Sequence, residues 1–264
     1  MTPLPASAAG QLGDRSRGLA TSRDRAGASE SPGYVWNGRT GPFTLGIPAA
    51  VFTPSRTSEV LAGALEIHPG DTVLDVGCGS GVLSLVAARL GAARVVGCDA
   101  STAAVRCARA NARELGLAGV TEFRAGSLLE PAAGMRADVV IADVSGVPDA
   151  VARVTGWFPD GRGGGPTGSE LPAALLEQLA GHLAAAGRVY LPTGTIQAED
   201  RVLEAARRAF GGGIRPVAQR DFPLPQAVTR DQHVARLIDE GTIPLTRRGS
   251  RYTWRLTIWC CQPG

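Results

Sequence analysis

Val73-Leu74-Asp75-Val76-Gly77-Cys78-Gly79-Ser80-Gly81 is the stretch that decides the fold. A β-branched apolar run, Thr72–Val76, enters a loop with glycine at every second position, and Gly81–Leu90 leaves it with helical character. Glycine permits positive φ and lets a ligand approach the main chain without a Cβ clash. The free N–H groups and dipole at the start of the helix favour a carboxylate or phosphate. A dinucleotide loop reads G-x-G-x-x-G, whereas this one reads Gly77-x-Gly79-x-Gly81, a tighter spacing that suits an amino-acid-bearing nucleoside better than a pyrophosphate. Structural turns also collect glycine, so the loop alone does not establish a ligand.

The next strand adds to it. Val95-Val96-Gly97-Cys98-Asp99 ends in an acid 18 residues beyond Gly81. In doubly wound folds an acid at that strand tip accepts hydrogen bonds from ribose hydroxyls. The competing role is a helix N-cap, since Asp99 precedes a helix over Thr102–Leu115; Ser101 or Thr102 can also fill that role.

Outward from this pair the chain alternates. Runs at Arg94–Cys98, Val120–Arg124, Asp138–Ala142 and Arg188–Leu191 are separated by helices expected over 102–115, Ser169–Ala184 and Ala198–Phe210. Short apolar runs between longer helices indicate a parallel sheet covered on both faces. Right-handed crossovers then leave an α/β, Rossmann-like, doubly wound sheet. Ile214–Phe222 and Arg251–Cys260 read as closing strands, giving an antiparallel C-terminal finish. The 227–250 insert between them, helical over Ala227–Glu240, reads as a substrate cover or as an edge cap. Upstream, residues 34–70 form a lead-in with short strands and a helix over Thr57–Ile67, closed by Pro69-Gly70. Residues 71–264 are then the Rossmann-like domain.

Composition narrows the classes. The 264 residues are 44% hydrophobic and 19% charged, and 27 basic against 24 acidic side chains leave a charge of only +3. A general electrostatic grip on nucleic acid is therefore not expected. No stretch approaches the roughly 18–20 apolar residues of a membrane helix. Five cysteines at irregular spacing suggest reduced thiols in a cytoplasmic protein rather than a disulfide framework. Residues 1–33 hold few large apolar side chains apart from Leu4, Leu12 and Leu19, and read as a disordered tail without a secretory signal. Arg15, Arg17, Arg23 and Arg25 are offset there by Asp14, Asp24 and Glu30.

Asp75–Gly81 and Asp99 resemble motifs I and II of class I S-adenosylmethionine-dependent methyltransferases. Val51-Phe52-Thr53-Pro54, Ser58-Glu59-Val60-Leu61, the helix through Ala108-Arg109-Ala110-Asn111-Ala112, and Gly163–Gly168 are similar to segments of the HemK-type, or "methyltransferase small", group, which includes enzymes that methylate glutamine in release factors. The match runs over roughly residues 43–192. It implies S-adenosyl-L-methionine as cofactor. Asp75, Gly77, Cys78, Gly79 and Gly81 would hold its methionine portion, Asp99 with Ala100 beside it the ribose, and Ser127 with Leu128 the adenine. That group usually has an acid at the Ser127 position, and serine is a weaker partner for the adenine amino group.

The catalytic segment departs further. Where the group has Asn-Pro-Pro-Tyr, this chain has Ala142-Asp143-Val144-Ser145-Gly146-Val147-Pro148. An amide nitrogen is best held by a paired donor and acceptor, and a carboxylate offers acceptors only. Asp143 suits a protonated amine or a hydroxyl, beside the cofactor, as orienting group or as base if burial raises its pKa. Its bland alternative is a loop cap bonded to its own backbone.

The expectation is a methyltransferase acting on a nitrogen or oxygen nucleophile of a small metabolite, as in specialised metabolism, or of a protein. The rival is a repurposed fold that binds the cofactor or its demethylated product for elimination, cyclisation or regulation. RNA methylation would require a contiguous surface of Arg215, Arg220, Arg230, Arg247, Arg248 and Arg251. His68 and His182 read as structural or solvated, and His233 as a possible substrate contact. Trp36, Trp157 and Phe158 read as core or acceptor pocket. No His or Cys pair has metal-ligand spacing.

Overall fold

Five parallel strands carry the glycine loop and the acids that follow it: β3 (Thr72–Val76), β4 (Arg94–Asp99), β5 (Thr121–Ala125), β6 (Ala137–Ala142) and β7 (Leu183–Gly194). The computed structural model describes residues 33–263; apart from Gly33, the expected tail lies outside the described residues. Ahead of these strands come β1 (Tyr34–Trp36) and β2 (Phe43–Leu45), an antiparallel pair, and α1 (Arg56–Ala64).

The sheet order is β5-β4-β3-β6-β7-β10-β8, with β8 at Ile214–Pro223 and β10 at Arg251–Cys261. β10 runs antiparallel between β7 and β8, the expected finish, and β9 (Thr246–Arg248) pairs with its start. The order reverses between β3 and β6, so the carboxyl ends of those strands form the crevice where such folds bind ligands. Helices α2 (Val82–Arg89) and α3 (Thr102–Glu114) connect strands on one side of that switch; α4 (Asp149–Thr155), α5 (Glu170–Gln178) and α6 (Glu199–Phe210) follow on the other.

Both sheet faces are apolar. One core joins Val73, Val95, Ile141 and Ile258 to Leu61, Leu85 and Val151, and the other joins Leu74, Val96, Val140 and Leu191 to Leu175, Val202 and Phe210. Adjacent residues of one strand thus enter opposite cores, which is why the strands read as continuous apolar runs.

Several boundaries differ from expectation. The helix expected to run to Ile67 stops at Ala64: Leu65 is extended and fully buried, and Arg39 donates to the carbonyls of Gly63 and Leu65. The helix expected over 169–184 ends at Gln178, followed by a tight turn over Leu179–Gly181. The Ala184-Ala185-Ala186 stretch favours helix locally, yet Leu183 pairs with Ala137 and draws the segment into β7. The insert helix is two helices, α7 (Gln226–Arg230) and α8 (Gln232–Asp239), because Asp231 is extended and caps the second through His233 N and Val234 N. The strand after it is Thr246–Arg248, and Ile243 before it is buried in the core. Helix α4 was not anticipated.

Candidate active site

The loop between β3 and α2 is built as its glycines suggest. Gly77, Gly79 and Gly81 all have positive φ, and a Cβ at Gly77 would stand 2.4 Å from the carbonyl oxygen of Asp143. Gly77 N and Cys78 N both donate to Cys98 O, at 2.8 and 3.1 Å, fastening the loop to β4. The Cys78 side chain points into the core and is 5% exposed.

Asp75 lies beneath the loop and is fully buried. Its Oδ2 accepts from Ser84 Oγ at 2.5 Å, while its Oδ1 has no partner. Burial pushes its pKa up to about 6 despite the Ser84 bonds, and Asp99 adds to the rise. Ser80 Oγ, also buried, is likewise unpartnered. Ser84, one turn into α2, carried no signal in the sequence beyond being a hydroxyl on an otherwise apolar helix.

Asp99 ends β4 at the mouth of the crevice. Its Oδ2 accepts from Gly79 N at 2.9 Å and its Oδ1 from Ser101 N at 2.8 Å. Ser101 is the N-cap of α3, accepting from Ala104 N, so Asp99 is not the cap. Each carboxylate oxygen retains a lone pair. Ala100 is exposed beside it. Gly126 N donates to Asp99 O at 3.0 Å, which brings Ser127 and Leu128 to the same edge. Leu128 is held at φ 47°, half-buried, and Ser127 N donates to the Glu130 carboxylate. The acid absent at residue 127 is thus present three residues on.

Asn111 has a role that the resemblance of its helix does not indicate. It is 3% exposed; its Nδ2 donates to Ser80 O at 2.9 Å and its Oδ1 accepts from Gly46 N at 2.8 Å. It clamps the glycine loop to the lead-in. A carboxamide on the apolar stripe of α3, among Ala104, Cys107 and Ala108, was the available signal.

Asp143 follows β6 directly, and its carboxylate makes no hydrogen bond among the described residues. Burial, then the nearby Asp75, pushes its pKa up to about 7. The loop-cap alternative therefore finds no support in the geometry. The segment after it is wrapped by the glycine stretch: Gly164 N donates to Val147 O at 2.7 Å, Gly163 N to Asp149 Oδ1 at 2.8 Å, and Asp149 N to Gly165 O at 2.9 Å.

Other candidates separate from the site. Trp36 is fully buried core, and His68 and His233 are exposed. His182 is half-buried with Nδ1 unpartnered. Trp157 packs against the core, whereas Phe158 stacks on Phe52 at 5.3 Å, joining the lead-in to the loop after α4. Val228, Val234 and Ile243 of the insert share a core with Ala150 and Val151, so the insert supports α4. The arginines form no continuous surface: Arg215 pairs with Cys260 and Arg251 with Arg248, at opposite ends of β10, and Arg248 and Arg255 both engage Asp221. All five cysteines are free and buried. Among the described residues no group of three or more His, Cys, Asp or Glu is placed to hold a metal, and no helix is long and apolar enough to cross a membrane.

Residues 59–146 match the family model of ribosomal protein L11 methyltransferase (PrmA). The release factor glutamine methyltransferase of Moorella thermoacetica is 33% identical over 198 residues, 70% of this chain and 67% of that protein. The chain belongs to the class I S-adenosylmethionine-dependent methyltransferases. The ribosomal protein L11 methyltransferase of Pelotomaculum thermopropionicum is 42% identical over 116 residues, 44% of this chain but 36% of that protein. The chain spans about a third of the length of the first L11 methyltransferases it matches. In solved structures the same class I fold appears in an L11 methylase of Lactobacillus delbrueckii (TM-score 0.51, 19% identity, covering 81% of this chain and 83% of that one). It appears also in a tRNA m1G37 methyltransferase of M. jannaschii (TM-score 0.55, 11% identity, 86% and 54%). The class I cofactor is S-adenosylmethionine, and the chemistry here fits it: the orphaned buried oxygens of Asp75 and Ser80, the cradle that a Cβ at residue 77 would fill, and an acid at the tip of β4.

Proposed function

We propose that this protein transfers a methyl group from S-adenosylmethionine to an amine nitrogen of a protein acceptor. The observation that carries the reading is the contact between two loops. Asp143 presses its carbonyl onto Gly77, so a group held by the Asp143 carboxylate lies against the loop that receives the cofactor.

In this reading Asp75 and the 77–81 loop hold the amino-acid end, Asp99 the ribose, and Ser127 and Leu128 border the adenine, with Glu130 as a nearby acceptor for its amino group. When bound, the cofactor supplies an activated methyl on a sulfonium, and the chain's work is mainly placement. Asp143 orients the nitrogen lone pair and takes up the proton released as the N–C bond forms and the C–S bond breaks. A carboxylate with a pKa near 7 is well matched to that proton at neutral pH.

A nitrogen of a protein is favoured over a metabolite because both families of sequence relatives are named for protein acceptors, ribosomal protein L11 and release factors. Between an amine and an amide, Asp143 favours the amine, because a carboxylate pairs with an ammonium and can take up the proton that an amine must release. The test is incubation of the purified chain with methyl-labelled cofactor and either ribosomal protein L11 or a release factor. The reading expects label on an amine of a protein. Tight cofactor binding without label on either protein, or label confined to a glutamine amide, overturns it.

A further inference from the structure

Among the described residues, two buried polar groups in the loops that follow β6 and β7 have no partner: Ser145 Oγ and Gln197 Nε2. β6 and β7 are parallel neighbours, so the loops that follow them emerge at the same edge of the sheet. Gln197 follows β7 in a turn closed by Gln197 N to Gly194 O at 3.0 Å. It is 2% exposed, and its carboxamide lies on Gly146, three residues past Asp143. A Cβ at residue 146 would stand 2.5 Å from its Oε1 and 3.6 Å from its Nε2, so only glycine admits the amide there.

The two loops are also tied together. The glycine stretch that bonds Val147 O through Gly164 N holds the other loop through Ala198 N to Thr167 O at 3.0 Å. Gly168 packs on Pro148 N and Gly146 O. The loop after Asp143 and the loop that carries Gln197 are therefore tied to one strap. A carboxamide N–H buried without a partner is costly, and such a group calls for an explanation. Nothing among the described residues supplies one, and Asp143 alone offers only acceptor atoms when ionised.

We propose that Gln197 is the acceptor-binding donor of this site. Its Nε2 takes a carbonyl oxygen of the acceptor while Asp143 faces the nitrogen. The acceptor then carries a carbonyl within a few bonds of the nitrogen. This inference rests on the methyl-transfer reading for its role in turnover, but not for binding.

The test uses the full chain with S-adenosylhomocysteine, 15N-labelled at glutamine side chains. The Gln197 resonance is assigned by its loss in Gln197→Glu. Glycinamide, an amine beside a carbonyl, is titrated against ethylamine, which lacks the carbonyl. Glycinamide is expected to shift the Gln197 resonance, and ethylamine is not; no shift, or equal shifts, overturns the proposal. With methyl-labelled cofactor, Gln197→Glu is expected to lower kcat/KM for a labelled acceptor about tenfold or more, with cofactor Kd within about twofold. Unimpaired transfer in that variant overturns the donor role and leaves methyl transfer standing. A selective shift without transfer to any acceptor does the reverse.

Discussion

The backbone of Gly77 touches the carbonyl of Asp143: a Cβ at residue 77 would meet that oxygen at 2.4 Å and the Asp143 carbonyl carbon at 3.0 Å. Gly77→Ala therefore faces both a left-handed backbone, φ 85°, and a backbone clash. Gly79 has φ 52° but open space around it, with its nearest neighbour at 4.0 Å. Gly79→Ala should cost only the left-handed penalty of about 1–2 kcal/mol. Gly77→Ala should exceed it and weaken S-adenosylhomocysteine binding more than tenfold, about 1.4 kcal/mol. Paired calorimetry and thermal unfolding check the order; equal effects would refute it.

Asp143 ties activity and stability to pH in opposite directions. Its folded pKa, about 7, lies above the ordinary 3.8. The ionised base accumulates as pH rises through 7, so kcat/KM should climb below that point and level off above it. The fold favours the neutral acid, so the stability from this group is greatest below about 4 and is lost as pH rises through 7. Asp143→Asn should therefore lose the kinetic pH dependence. Its thermal midpoint should rise relative to the unaltered chain between pH 5.5 and 8.5, and a gap that narrows would contradict the sign.

Asn111 serves two backbone groups at once. Asn111→Ala leaves Ser80 O and Gly46 N without their partner, at about 1–3 kcal/mol for each group that stays buried. Asn111→Asp keeps the acceptor for Gly46 N but sets a carboxylate against Ser80 O. Both variants should unfold several degrees lower, and both should bind cofactor more weakly because the loop is released. Cofactor affinity unchanged in both would show that the clamp does not shape the loop.

Asp99 is separable from its helix, since Ser101 caps α3 by itself. Asp99→Ala should leave the thermal midpoint within a few degrees. It should lose charged hydrogen bonds to the ribose of about 1.5–3 kcal/mol, roughly 10–150-fold in Kd. Calorimetry with S-adenosylhomocysteine reads this directly, and an unchanged Kd would remove Asp99 from the ribose site.

The glycine loop, the acid on the next strand and the order of strands and helices were legible because each rests on local signals: positive-φ turns, apolar runs and helical periodicity. Helix ends were less so. Leu65 and the 183–186 segment leave helical geometry because the core and the pairing with Ala137 outweigh local propensity. Likewise a helix reading across Ala227–Glu240 could not register that Asp231 caps its own successor.

The chain's own order of residues was enough to determine a parallel α/β sheet with a positive-φ glycine loop at Gly77 and an acid, Asp99, at the tip of the next strand, since neighbours in sequence create those features. Which polar groups serve the crevice was decided by folding. Asn111 meets Ser80 across 31 residues, and Gln197 meets Gly146 across a strand and two helices. Such contacts exist only once distant segments are packed, and their strength depends on burial that no local stretch of sequence records.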